Sequence, residues 1–333
     1  MGNVFLVNRN TIFSLATIIV SVCVFIGSLL LAPYYFEGDQ HHYNVVYDAI
    51  KTLSLVDAYV KYSSYIVSRE FGHFFVIWVT SGLGLEKILV MALANSILAC
   101  FIMKVSNKWG VSLLVSSSIC ITNFYMLALY FSAERLKFAF LFFLISIYYI
   151  NNRKILFAFS FLSVVTHLQL IILYSCLLFP KFFGEYYKRV KRIVLTLKMR
   201  IKSELLVGIL LLSMTIFFWV FLGDYLIQKL AYHSTSARTH GDILNMLRVS
   251  IFFGMTILYA NKLTVITLNY FPLIIAIYFV SGSRLNIFAY ALFMYYALRY
   301  KRGLNIGVLV TSIYFFYKSF GFVTRFIDTG NGY

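Results

Sequence analysis

The feature that most constrains this chain is a set of apolar runs without a single charged residue, among them 11–33, 205–222 and Leu263–Val280. Each reaches the roughly 18 residues that cross a hydrocarbon core about 30 Å thick. In lipid the backbone must bond to itself, which leaves helices or a closed barrel. The runs lack the period-two alternation of a barrel strand. The expected fold class is therefore all-α: a polytopic integral membrane protein. Composition agrees, since only 12% of the 333 residues are charged, about half of the roughly 25% typical of soluble chains.

Placing helices at 12–33, 86–104, 110–131, 134–150, 154–166, 168–180, 205–222, 246–260, 264–281, 284–299 and 304–320 predicts about eleven crossings. The segment 71–84 is apolar but short and ends in two glycines, so it is expected to be a re-entrant or interfacial helix. The stretch 155–180 is read as two half-spans meeting near Thr166–His167, because a single helix would export the most basic loop of the chain. With the N-terminus inside, the inner segments hold 17 Lys and Arg against two acids, a net +15. The outer segments hold 12 against ten, a net +2. This is the positive-inside asymmetry. It accounts for the formal charge of +17 through topology and contact with membrane lipids, and nucleic acid is not an expected partner. The first run is too long for a signal-peptide core and lacks a clean cleavage site, so it is expected to remain as an anchor. One membrane domain, 1–333, is expected, with outer loops over about 34–70 and 223–245 and a basic inner loop over about 181–204.

Cys23, Cys100, Cys120 and Cys176 lie inside apolar runs without CxxC spacing and read as small packed hydrophobes. The run Asp39-Gln40-His41-His42 offers adjacent histidines, which do not meet tetrahedral ligand geometry. No metal or cofactor is expected.

Candidate chemistry sits on the outer side. Arg135 opens a helix in Glu134-Arg135-Leu136-Lys137, Arg284 follows a Gly-Ser turn, Arg238 lies in the loop 223–245, and Arg69 precedes Glu70. Guanidinium groups fork onto phosphate oxygens. The competing reading is an arginine that snorkels to the headgroups or pairs with an acid, such as Arg135 with Glu134. Asp39 and Tyr43 belong to an outer segment rich in acids and tyrosines, a composition that suits a sugar surface as well as the membrane interface. His167 stands at the expected helix break in apolar surroundings. An ionisable group at that depth is either functional or a neutral ring bonded across the break.

These motifs together resemble the EpsG-type branch of the bacterial polysaccharide polymerases, the Wzy-like family. The stretches that carry the resemblance are Gly38-Asp39 with Tyr43, Arg69-Glu70-Phe71-Gly72-His73, Glu134-Arg135-Leu136-Lys137, His167 at the end of a short helix, and Gly282-Ser283-Arg284-Leu285. The resemblance implies a metal-independent glycosyltransferase of the bacterial inner membrane with its active site facing the periplasm. It would join undecaprenyl-pyrophosphate-linked oligosaccharide units for O-antigen, capsule or exopolysaccharide. A flippase and a chain-length regulator of the same pathway are the implied partners. On this reading Arg135 and Arg284 clamp the pyrophosphate with Arg238 as an auxiliary. His167 and Glu70 are the candidate base or positioning residues, Asp39 binds the acceptor, and Tyr43, Arg69 and His73 touch sugar. The rival classes are a transporter or flippase of the lipid-linked unit and a membrane acyltransferase acting on surface sugars.

Overall fold

The computed structural model describes residues 8–66, 70–196, 240–260, 262–280 and 284–331. Every regular element among them is helical. In chain order they are α1 (Arg9–Leu31), α2 (Asp39–Ala49), α3 (Leu55–Ile66), α4 (Phe71–Gly82), α5 (Lys87–Lys108), α6 (Leu113–Thr122), α7 (Phe124–Phe131), α8 (Glu134–Tyr148), α9 (Arg153–Thr166), α10 (Leu170–Thr196), α11 (His240–Ile257), α12 (Leu263–Val280), α13 (Leu285–Ala297) and α14 (Ile306–Thr329).

Three described helical stretches are long and apolar enough to cross a membrane: Arg9–Tyr34, Lys87–Lys108 and Tyr300–Thr329. A fourth is obtained if α6 and α7, bent by 48°, form one broken span. The count of eleven crossings is therefore not carried by the described residues. Helices such as α13, with 13 residues, reach only about 20 Å at 1.5 Å per residue, well short of the hydrocarbon core. The crossing expected over 205–222 lies outside the described residues.

Three local expectations are corrected. The span expected over 110–131 breaks at Asn123, whose extended backbone ends α6 and whose side chain caps Tyr125 N at 3.0 Å. The outer loop of 34–70 is largely helical, because α2 and α3 fill it. The inner loop of 181–204 is helical as far as Thr196, since α10 continues through Pro180 and the residues after Gly184 contain no further glycine or proline to stop it. The break at Thr166–His167 is present as expected: α9 ends at Thr166 and α10 begins at Leu170.

The chain divides into two compact units, Met1–Ile171 with Ala297–Tyr333, and Ile172–Tyr296. In the first, small polar side chains join α5 to α1 and α7, and α9 to α8. Asn95 donates to Ser28 Oγ at 2.9 Å and to Tyr130 O at 3.2 Å, Ser96 donates to Ser21 O at 2.9 Å, and Ser163 donates to Ala139 O at 2.8 Å. Apolar burial drives little association between helices surrounded by lipid, so such bonds, worth about 0.6 to 2 kcal/mol each, help to fix the packing. Outward faces stay apolar, as at Leu15, Ile18, Phe316, Tyr317 and Phe320. In the second unit, Tyr270 ties α12 to α11 and α13: its hydroxyl lies 2.8 Å from Thr256 Oγ1 and donates to Ala289 O at 3.2 Å. Asn286 donates to Asn245 Oδ1 at 2.8 Å, and Phe252, Tyr290 and Phe293 fill the space between α11 and α13.

Candidate functional site

The first unit has two chemically different ends. At one, Arg9 donates to Val111 O at 3.2 Å, Ser112 N donates to Arg302 O at 2.8 Å, Lys108 donates to Tyr148 O at 2.6 Å, and Arg299 lies 4.7 Å over the Trp109 ring. These contacts gather the start of α1, the end of α5, the start of α6 and the end of α8 into one basic face. The other ends of these helices, with the start of α8 and the end of α9, form the opposite face. The candidate site residues of this unit lie there.

On that face three distant segments converge. Arg135, in the first turn of α8, donates through NH1 to Glu70 Oε2 at 2.7 Å and through Nε to Tyr43 Oη at 2.9 Å. Glu70 is the N-cap residue of α4, yet its side chain makes no cap bond. Its other oxygen accepts from His167 Nδ1 at 2.6 Å. His167 caps the C-terminus of α9 in an extended conformation, with φ −153° and ψ 108°, and its Nε2 lies 3.1 Å from Gln169 Oε1. The side chains are 15%, 10% and 2% exposed for Arg135, Glu70 and His167. A carboxylate that holds one imidazole nitrogen fixes the orientation of the ring and of its other nitrogen. An arginine on the same carboxylate keeps it ionised.

Gly72 makes this convergence possible. A Cβ there would stand 2.8 Å from Thr166 Cα and closer still to Thr166 Oγ1. Only glycine lets α4 lie close enough to the end of α9 for Glu70 to reach His167.

A second chain of polar contacts starts one residue away. Glu134 faces Lys87 Nζ at 3.0 Å and His73 Nε2 at 3.6 Å. Burial pushes the Tyr62 phenol above its usual pKa, so its hydroxyl stays protonated, and it shares a hydrogen bond with His73 Nδ1 at 3.0 Å. The Tyr43 and His73 rings meet edge to face at 5.6 Å and link the two chains. Neighbouring helical residues point about 100° apart, whereas residues three apart share a face. Glu134 and Lys137 therefore both line a cavity of about 640 Å³, together with Lys87, Gln40, Asn95 and Tyr47. Arg135 is not among the residues that line it.

The sequence-derived candidates are distributed as follows. Glu70, Arg135, His167 and Tyr43 come together. Arg135 pairs with Glu70 and not, as in the competing reading, with Glu134, because adjacent positions on α8 diverge. Tyr43 is buried against the guanidinium, and His73 is fully buried between Tyr62 and Glu134; neither presents a face to a sugar. Asp39 sits exposed in the first turn of α2, one turn before Tyr43. Arg69 and Arg238 lie outside the described residues. Arg284 belongs to the second unit, in the turn that leads into α13, where its carbonyl accepts from Ile287 N at 3.0 Å. Lys87 and Lys137 were missed. Their signal was present in the sequence, since both are lysines at the start of apolar helices, and such residues near membrane depth are candidates by default. Among the described residues no three His, Cys, Asp or Glu side chains are grouped to hold a metal ion.

Among the described residues, fold and site define an all-helical protein with helices long and apolar enough to cross a membrane and a buried ionic network gathered at one end of its first unit. No family model, curated protein or solved structure matches the chain.

Proposed function

We propose that this protein is a membrane glycosyltransferase of the repeat-unit polymerase type. It would be a multi-pass protein of the bacterial inner membrane, with up to eleven crossings, working on undecaprenyl-pyrophosphate-linked oligosaccharides at the periplasmic face. The observation that carries the reading is the Arg135–Glu70–His167 network, assembled from three segments at the end opposite the basic face. Glycosyl transfer from a lipid pyrophosphate needs a base for the attacking hydroxyl and cations for the departing charge. Glu70 orients His167, whose Nε2 takes the proton of the acceptor hydroxyl. The hydroxyl oxygen bonds to the anomeric carbon as the bond from that carbon to the pyrophosphate oxygen breaks. The lipid pyrophosphate leaves with the electron pair, next to Arg135.

The test is a deletion strain complemented with wild-type or His167→Ala protein, read by the length of surface polysaccharide. The proposal expects single repeat units on the acceptor without wild-type protein, and no recovery of the ladder by His167→Ala at normal protein level. A full ladder in the deletion strain would overturn it. The Glu70–His167 pair would also suit an acyltransferase; in that case the ladder persists and the sugars lose their acyl groups.

A further inference from the structure

Lys137 is 1% exposed and lines the cavity, and its ammonium finds only the Met91 thioether, at 3.6 Å, as a hydrogen-bond partner among the described residues. A thioether is a weak acceptor. Glu134, one turn back on the same face, is turned to Lys87 and His73. A buried ammonium with no oxygen facing it is costly, since nothing in the protein replaces its hydration. The same cavity holds the converse deficit. Asn95 Oδ1 and Glu134 Oε1 are buried there without a donor within bonding distance, whereas Glu134 Oε2 is met by Lys87 Nζ at 3.0 Å.

One kind of ligand answers both deficits: anionic oxygens for Lys137 and hydroxyl donors for Asn95 and Glu134. We propose that the cavity binds an acidic sugar, a pyranose that carries a carboxylate or a phosphate, with its anionic group at Lys137 and its hydroxyls on Asn95 and Glu134. A bare inorganic anion answers Lys137 but brings few hydroxyl donors for Asn95 and Glu134. A neutral sugar leaves Lys137 unanswered. The volume, about 640 Å³, is within the ordinary range for small-ligand pockets. This assigns a substrate class to the polymerase reading. It rests on the cavity rather than on bond formation, so a binding experiment decides it even if the ladder experiment fails.

The experiment is calorimetric titration of the full-length protein in lipid nanodiscs with glucuronate, glucose 1-phosphate, glucose and inorganic phosphate. Glucuronate or glucose 1-phosphate should bind at least about tenfold more tightly than either glucose or inorganic phosphate, as expected for one charge-assisted contact; which of the two binds identifies the anionic group. Lys137→Met, close in shape but uncharged, should lose that preference while its ligand-free melting temperature rises or holds, because a buried charge without an oxygen partner has been removed. Lys137→Gln, which keeps an N–H donor, should bind glucuronate no better than glucose. Equal binding of acidic and neutral sugars by the wild type overturns the proposal. So does tighter binding of phosphate alone, or an undiminished preference in either variant.

Discussion

The two ends of the first unit use the same cations in opposite ways. At the basic end, Arg9 and Lys108 cap backbone carbonyls and Arg299 covers the Trp109 ring. Such contacts need a positive charge and little geometry. At the other end, Arg135 meets Glu70 and Tyr43 through two different nitrogens, and Lys87 meets Glu134 inside the protein. Those contacts need a particular group in a particular place. The first pattern suits a positive-inside anchor; the second is the candidate site of the proposed function.

The largest effect expected is all or none and concerns orientation. In a background freed of Cys23, Cys100, Cys120 and Cys176, cysteine at Thr52 should react with an impermeant maleimide added to intact spheroplasts. Cysteine at Lys301 should react only after lysis. Thr52 lies in the turn between α2 and α3 and Lys301 at the basic end, so the reverse pattern would invert the comparison.

Next in size is Glu70→Gln. It keeps the shape but ends the charge that holds Arg135 and orients His167. Losing a preorganised electrostatic contact typically costs about 10²–10³ in rate, to be read as polymer formed per unit of membrane protein. Unchanged polymer would remove Glu70 from the site.

Gly72→Ala should be milder and purely geometric. Its methyl would press on Thr166, at a cost of roughly 1–3 kcal/mol for overpacking, and would move Glu70 away from His167. A lowered melting temperature together with lost polymer is expected, and a neighbouring Thr166→Ala change should restore part of both. A silent Gly72→Ala would mean that α4 and α9 separate without consequence.

The smallest effects sharpen the comparison most. Arg135→Lys retains charge but cannot serve Tyr43 and Glu70 at once, so about tenfold lower activity is expected, equivalent to one lost hydrogen bond to a charged group. Arg9→Lys and Arg299→Lys should stay within about 0.5 kcal/mol of the parent in thermal stability and keep full activity. Equal tolerance at both ends would erase the distinction between anchoring and site-building cations.

Much of this was legible in the chain before it folded. The apolar runs announced membrane helices, the short segment ahead of Gly84 appeared as the 12-residue α4, and the break before His167 fell where the basic residues after Lys181 required it. Arg135, Glu70, His167 and Tyr43 were each singled out by residue type and place. Their partners were not. Glu134 stood beside Arg135 in the sequence and was its partner in the competing reading, yet it faces Lys87 and His73. His73 and Tyr43 were expected at a sugar and are buried supports. Lys137 was passed over as part of a helix-opening motif.

The reason is the range over which each property is decided. Hydropathy and charge asymmetry are sums over neighbouring residues, so the sequence by itself determined helices apolar enough to cross a membrane and which end of its first unit is basic. Pairing depends on the rotation of each helix about its axis and on contacts between segments 65 residues apart for Arg135 and Glu70, and 97 apart for Glu70 and His167. A 100° step along α8 sends Arg135 to one network and Glu134 with Lys137 to the other. Only the tertiary structure decided that division, because it is set by how α4, α5 and α9 pack around α8 and not by any residue's own preference.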